Sequence, residues 1–256
     1  MADLKGLGVL VTRPEAQADL LTGLLHAQGF RVFHLPTLQT ERVGNPVIQR
    51  AALGPLDHYH WIIFLSVNAV HHAAHLLDHS ADSSLIAVGP ATAAALTERG
   101  HPPALIPRGG FSSEDLLNLP DLQSVRGQRI LIVRGADGLE TLGDALTQRG
   151  AQITYAEVYK RVRATPLPGA VAAVEREWAA GQIQVVTATS TDVLKALFEL
   201  LSTEGRDLLT LTALLAASAR IGHAARQMGL NGELIVAQAA DSASLVSALT
   251  QWQRAR

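Results

Sequence analysis

Small hydroxyl residues, glycines and arginines recur wherever an apolar run gives way to a helical pattern. Thr12-Arg13-Pro14 follows the run 8–11, Ser66-Val67-Asn68 follows 61–65, and Gly89-Pro90-Ala91-Thr92 follows 85–88. Further on come Gly109 to Ser113, Arg134-Gly135-Ala136, Ser190-Thr191-Asp192, Ser218-Ala219-Arg220 and Asp241-Ser242. A helix N-terminus offers free N–H groups and the positive end of its dipole, which together hold anions. Arg13, Arg134 and Arg220 add guanidinium groups beside three of these starts. The chemistry on offer is recognition of a polyanion by amides, hydroxyls and guanidinium groups. Any one of these residues is explained by helix capping alone; their convergence is the functional signal.

Other chemistries lack their residues. The chain has no cysteine, which excludes disulfides, thiolate nucleophiles, Fe–S clusters and cysteine-held zinc, and fits a reducing cytoplasm. No G-x-G-x-x-G follows the first strand, which disfavours a dinucleotide enzyme, and neither a Walker loop nor H-E-x-x-H is present. His71, His75 and His79 share one helical face near Asp78 and Asp82, but the face reads as solvated, so no metal site is expected. The formal net charge of −2 and the absence of a basic run argue against nucleic acid. No stretch approaches the roughly 20 apolar residues of a membrane span, and the N-terminus, with Asp3 and no long apolar core, is not a signal peptide. Hydrophobic residues at 48% against 17% charged imply packed cores, and 256 residues suit two domains.

The elements that must position these loops are written twice. Gly100 and Gly229, Leu105 and Leu234, Ile106 and Ile235, Ser113 and Ser242, and Leu116 and Leu245 all lie 129 residues apart. Nearer the start, Val9 to Arg13 matches Ile130 to Arg134 at a spacing of 121, and Gly29 then matches Gly150. Ser66 aligns more loosely with Ser190. A constant offset over such lengths is an internal duplication. Strands are expected at 8–11, 30–35, 61–65, 85–88, 104–107, 129–133, 153–158, 184–188, 215–217 and 234–237. Helices are expected at 14–28, 47–53, 67–77, 90–99, 113–119, before Gly150, and at 171–180, 192–201, 219–228 and 242–252. Strands alternating with helices mean parallel sheets with right-handed crossovers, hence two five-stranded doubly wound α/β domains whose carboxyl-end loops line a crevice. The repeats allow tandem or swapped pairing of the halves. The proline-bearing polar stretches 36–46 and 161–169 read as two chain crossings and favour the swapped form. Nothing reads as a dimer seam, so a monomer is expected.

Thr12-Arg13-Pro14, Ser66, Ala87-Val88-Gly89-x-x-Thr92, Ser112-x-Glu114-x-Leu116-Leu117, the strand ending at Tyr159, and Thr189-Ser190 together resemble uroporphyrinogen-III synthase in order and spacing. The resemblance runs from about Gly8 to Leu249. It implies two similar flavodoxin-like domains joined by two strands, with the active site in the cleft between them: residues 1–36 with 167–256, residues 40–163 inserted, and connectors at 37–39 and 164–166. It implies that hydroxymethylbilane, a linear tetrapyrrole with eight carboxylates, is cyclised with loss of water and inversion of the fourth ring. No cofactor is implied, and a transient hand-over from the bilane-forming enzyme is a natural partner event. Tyr159 is implied as the acid for the departing hydroxyl, since a phenol is protonated at neutral pH and can donate. Substrate contacts are expected from Thr12, Arg13, Ser66, Val67, Gly89, Thr92, Ser113, Arg134, Gly135, Ala136, Ser190, Thr191, Ser218 and Arg220. Thr92 is matched by Ile221 in the repeat, so its hydroxyl is not duplicated. The alternative is a non-catalytic two-domain protein that binds or senses an anionic small ligand; fold alone does not separate the two.

Overall fold

The computed structural model describes residues 6–77, 84–109 and 111–256. The chain divides into two compact units, residues 1–39 with 162–256, and residues 40–161. In order, the chain forms β1 (Gly8–Val11), α1 (Glu15–Ala27), β2 (Arg31–His34), β3 (Leu38–Arg42), α2 (Pro46–Leu53), β4 (Trp61–Phe64), α3 (Val67–His72), α4 (Ala74–Leu77), β5 (Ser84–Ala87), α5 (Pro90–Glu98), α6 (Ser113–Leu117), β6 (Arg129–Gly135), α7 (Thr141–Gln148) and β7 (Gln152–Arg163). It continues through α8 (Ala170–Ala179), β8 (Val185–Ala188), α9 (Thr191–Leu200), α10 (Thr203–Leu211), β9 (Ala213–Ala216), α11 (Ala219–Gln227), β10 (Leu234–Val236) and α12 (Ser242–Arg254).

The first unit holds a five-stranded sheet in the order β10-β9-β8-β1-β2, with parallel pairings throughout. In that unit's own chain order this is 2-1-3-4-5, the flavodoxin-like winding. β1 and β8 are buried at every position, as a strand covered on both faces must be. Val9, Leu10, Val185, Val186, Leu214 and Leu215 meet Leu21 and Leu25 of α1 and Leu245 and Leu249 of α12 in one core.

The second unit holds β3-β7-β6-β4-β5, with β7–β6, β6–β4 and β4–β5 parallel. Alternate residues of its strands feed opposite cores. Ile62, Phe64, Leu131 and Val133 pack with Ala69 and Val70 of α3 and Ala93 and Leu96 of α5. Ile63, Ile130 and Ile132 pack with Leu116, Leu142 and Leu146 on the other face. The pairing of the halves is therefore swapped: β1 and β2 share a sheet with β8 to β10.

Several expectations are corrected. Residues 104–107 do not form a strand; only an isolated bridge joins Leu105 to Ile86. The fifth strand is instead β3, inside the stretch read as a turn-rich crossing. Its polar residues suit an edge strand with one open side, and all of them are half-exposed or exposed. The other presumed crossing, 161–169, begins as the last residues of the long strand β7. The helix expected over 67–77 breaks at Ala73 into α3 and α4. α10 went unanticipated, its apolar residues being few beside Thr203, Glu204, Gly205, Arg206 and Asp207. Where the repeat ends its helices, Gly100 and Gly229 take φ of +80° and +87°, the left-handed stop that glycine accommodates without strain. Among the described residues, no helix is long and apolar enough to cross a membrane.

Candidate active site

The carboxyl ends of β4, β6 and β7 bring Ser66, Arg134, Gly135, Ala136 and Tyr159 of the expected residues together. Ser66 lies two residues past β4 and caps α3, its Oγ accepting from the Ala69 N–H at 3.0 Å. The Tyr159 hydroxyl lies 3.1 Å from that same Oγ. Beyond the bond from Ala69, Ser66 Oγ keeps a hydrogen and a second lone pair, so either hydroxyl can donate in the Ser66–Tyr159 pair, and when Ser66 donates the phenol proton is free for another acceptor. The Tyr159 ring is only 4% exposed. It stacks on His72 of α3, with centroids 5.5 Å apart and planes 23° from parallel.

A register shift places Tyr159. β6 and β7 pair residue for residue up to Arg134 and Glu157, and then Gly135 faces Tyr159 instead of Val158. Strict alternation would send Tyr159 to the face of Tyr155 and Glu157; the bulge turns it into the cluster that holds Ala156 and Val158. Gly135 is required there, because a Cβ would lie 2.8 Å from Tyr159 Cζ. The Ala136 N–H donates to the Tyr159 carbonyl at 2.8 Å, closing the loop over the strand end.

Arg134 lies beneath this corner. It is 5% exposed, and its Nη2 reaches Glu157 Oε1 at 2.9 Å. Its Nη1 donates to the Gly138 and Leu139 carbonyls at 3.0 and 3.1 Å, and the guanidinium sits 3.9 Å from the Tyr155 ring centroid. Burial pushes the Tyr155 phenol above its ordinary pKa, partly opposed by Arg134. Arg134 Nε is buried without a hydrogen-bond partner among the described residues. A cavity of about 150 Å³ opens here, lined by Ser66, Arg134, Gly135, Asp137, Tyr159 and Arg161 among others. A larger hollow of about 750 Å³, along residues 104–109 and 118–121, contains none of the expected site residues. The smaller cavity is the one of the two that gathers expected site residues.

Of the remaining candidates, Val67 adjoins this corner and the others lie elsewhere. Val67 opens α3 beside Ser66. Gly89 caps α5 without a side chain, and a Cβ there would meet Phe111 Cβ at 2.9 Å. Thr92, on α5, is 3% exposed. Ser113 is the first residue of α6, but the cap is Ser112, in a capping box with Asp115. That bonding holds the Asp115 carboxyl below its usual range.

In the first unit, Thr12 is fully buried, and its hydroxyl donates to the Thr187 carbonyl at 2.6 Å, tying β1 to β8. Arg13 is 9% exposed; Nη1 donates to Ser242 Oγ at 3.0 Å and Nη2 to the Ala240 carbonyl. Burial lowers the Arg13 pKa, with Asp241 opposing. Ser190 caps α9 through the Val193 N–H at 3.1 Å, and Thr191 follows it, half-buried. Ser218 sits at the α11 N-terminus without a side-chain cap bond, and Arg220 is exposed.

Two further residues belong to this corner. Arg161, in the stretch expected to be a crossing, continues β7 two residues beyond Tyr159 and so lies on the same side of the strand. His72 stacks on Tyr159, whereas its histidine neighbours have other partners. His71 accepts from Arg99 and His75 from Arg42, while Asp78, His79 and Asp82 lie outside the described residues.

The family model described as uroporphyrinogen-III synthase HemD matches residues 19–247. The chain belongs to the uroporphyrinogen-III synthase family. Membership makes it an enzyme, a lyase of tetrapyrrole biosynthesis that acts on a small molecule. It is 34% identical over 253 residues to the uroporphyrinogen-III synthase of Escherichia coli K12, covering 95% of this chain and all of that one. The Salmonella typhimurium relative of the same name is 31% identical with the same coverage. Two solved structures share the fold. The uroporphyrinogen-III synthetase of Helicobacter pylori has a TM-score of 0.59 at 13% identity, over 96% of this chain and 99% of that one. A mutant Thermus thermophilus uroporphyrinogen III synthase has a TM-score of 0.55 at 22% identity, over 97% and 98%.

Proposed function

We propose that this chain cyclises hydroxymethylbilane to uroporphyrinogen III, with Tyr159 as the acid that assists departure of the hydroxyl. The observation that supports this is the Tyr159 phenol, 3.1 Å from a Ser66 hydroxyl already engaged by Ala69, at a cavity shared with Arg134 and Arg161. The pyrrole nitrogen pushes the hydroxyl out; the phenol proton leaves with it as water, and an azafulvene cation remains. The substituted α-carbon of the fourth ring attacks that electrophilic methylene carbon. The spiro intermediate breaks the bond from this α-carbon to its original bridging methylene, and the free α-carbon of the fourth ring attacks the methylene so released, closing the ring in the inverted sense. The closing pyrrole then sheds a proton, which restores the phenol. The protein contributes position and charge stabilisation in place of a nucleophile.

The substrate carboxylates are assigned to the carboxyl-end loops of the two sheets. The guanidinium of Arg161 and the amides at Val67 and Gly135 serve one sheet, while the Ala136 N–H, donated to the Tyr159 carbonyl, holds that loop in place. The uncapped starts of α5 at Gly89 and of α11 at Ser218, with Arg220, offer further donors. Ser113, Thr191 and Ser190 stand at helix starts of the same kind. Thr12, Thr92, Arg13 and Arg134 are given a supporting role, because their side chains are buried and three of them are bonded to the protein itself. The chain is taken to act as a cytoplasmic monomer that receives the bilane from the enzyme that forms it.

Freshly generated hydroxymethylbilane with purified protein tests the reading. Spontaneous closure gives the symmetric type I isomer, so a large type III excess is the expected outcome. Type I alone, at the rate seen without protein, overturns it.

A further inference from the structure

α3 touches Tyr159 twice: Ser66, its cap, meets the hydroxyl, and His72, its last residue, lies against the ring. The imidazole is itself held, with Nε2 2.9 Å from Thr40 Oγ1 on β3, while the His72 carbonyl accepts from Arg42 Nη1 at 2.7 Å. The stack therefore belongs to a braced assembly of α3, β3 and β7. Burial, then Arg42 and His71, hold the imidazole below its ordinary pKa, so a neutral ring faces the phenol. No other ring is stacked on Tyr159 among the described residues.

We infer that His72 is a positioning residue for Tyr159: its ring fixes the phenol so that the hydroxyl stays at Ser66 and the cavity. This rests on the acid role given to Tyr159. Without the stack the phenol gains freedom about its side-chain torsions, and displacement of a reacting group by about 1 Å costs up to about 100-fold in rate. The effect belongs to turnover and not to binding, because His72 does not line the cavity.

The test uses the full chain with hydroxymethylbilane and four variants: His72→Gln, His72→Phe, Tyr159→Phe, and His72→Gln with Tyr159→Phe. His72→Gln keeps a partner for Thr40 but removes the ring; His72→Phe does the reverse. The expected result for His72→Gln is a kcat lower by about 10- to 100-fold with KM changed by less than about twofold. His72→Phe should recover kcat to within about threefold of the unaltered chain. In the Tyr159→Phe background, His72→Gln should cost less than about twofold more, because residues acting as a unit are not additive. The inference is overturned if His72→Gln stays within about twofold of the unaltered chain, if His72→Phe is as slow as His72→Gln, or if the full loss persists without the phenol hydroxyl. The acid reading fails separately, when Tyr159→Phe alone costs less than about tenfold. Thermal melts of each variant set aside any that does not fold; His72→Gln by itself decides whether the ring matters, and a slow but folded His72→Phe by itself overturns the inference.

Discussion

Arg13 and Arg134 stand at equivalent places in the two repeats, Arg13 two residues past β1 and Arg134 at the carboxyl end of β6, and each is almost wholly buried. Their surroundings have diverged. Arg13 is held by neutral partners, a serine hydroxyl and a backbone carbonyl. Arg134 has a carboxylate, two carbonyls and an aromatic face, and its residue neighbour Gly135 yields the space that Tyr159 fills. Position 14, the counterpart of Gly135, is a proline that leads into α1. Both copies hold a buried guanidinium, and only the second has a phenol in contact beside it. A repeated residue thus marks shared architecture, and the chemistry is marked by what the two copies do not share.

The largest effect should come from removing these guanidinium groups. Arg134→Met strands Glu157 and two carbonyls. Loss of one partner of a buried pair costs about 3–5 kcal/mol, and the 40% exposure of Glu157 places this one near the lower end, about 3 kcal/mol. Arg13→Met loses neutral hydrogen bonds and should cost about 1–2 kcal/mol. Urea titrations of the two variants check the order; an equal or larger loss for Arg13→Met would break the proposed divergence.

Ser66 and Ser190 sharpen the comparison at lower cost. Both cap a helix, so either serine to alanine change should destabilise by about 1 kcal/mol. Only Ser66→Ala should also slow turnover, by about tenfold or more, since only Ser66 meets a phenol. Equal kinetic losses in both would remove the special standing of the Ser66–Tyr159 pair.

The smallest effect is a pH dependence confined to the second unit. The folded pKa of His72 is depressed, so just below the ordinary histidine pKa of about 6.5 the unfolded chain binds the proton more readily than the folded one. Stability therefore rises with pH across that window and falls as pH drops from about 6.5 towards the folded value. On acidification the melting temperature of the unaltered chain should fall more than that of His72→Phe. A smaller fall in the unaltered chain than in His72→Phe contradicts the sign.

Much of this was legible in the sequence. The offsets of 121 and 129 residues located the two sheets, the glycine helix stops and both arginines, because burial on both strand faces enforces a long apolar run and close packing preserves it. Tyr159 came from family likeness alone, since neither periodicity nor spacing distinguishes a bulged tyrosine from a packed one. β3 was hidden because an edge strand tolerates polar residues that also suit a turn. Arg161 was hidden by the same assumption, applied to the end of β7. His72 escaped because attention went to a helical face, whereas its partner is a ring on a neighbouring strand, which no spacing within α3 encodes.

The central claim is that one phenol, set into the second copy by a bulge and a glycine, supplies the proton. Single-turnover rates of Tyr159→Phe with hydroxymethylbilane, read together with the product isomer, test it most directly. The account predicts a loss of about 10²- to 10⁴-fold with the product still type III. A loss of less than about tenfold, or a product switched to type I at an unchanged rate, would contradict it.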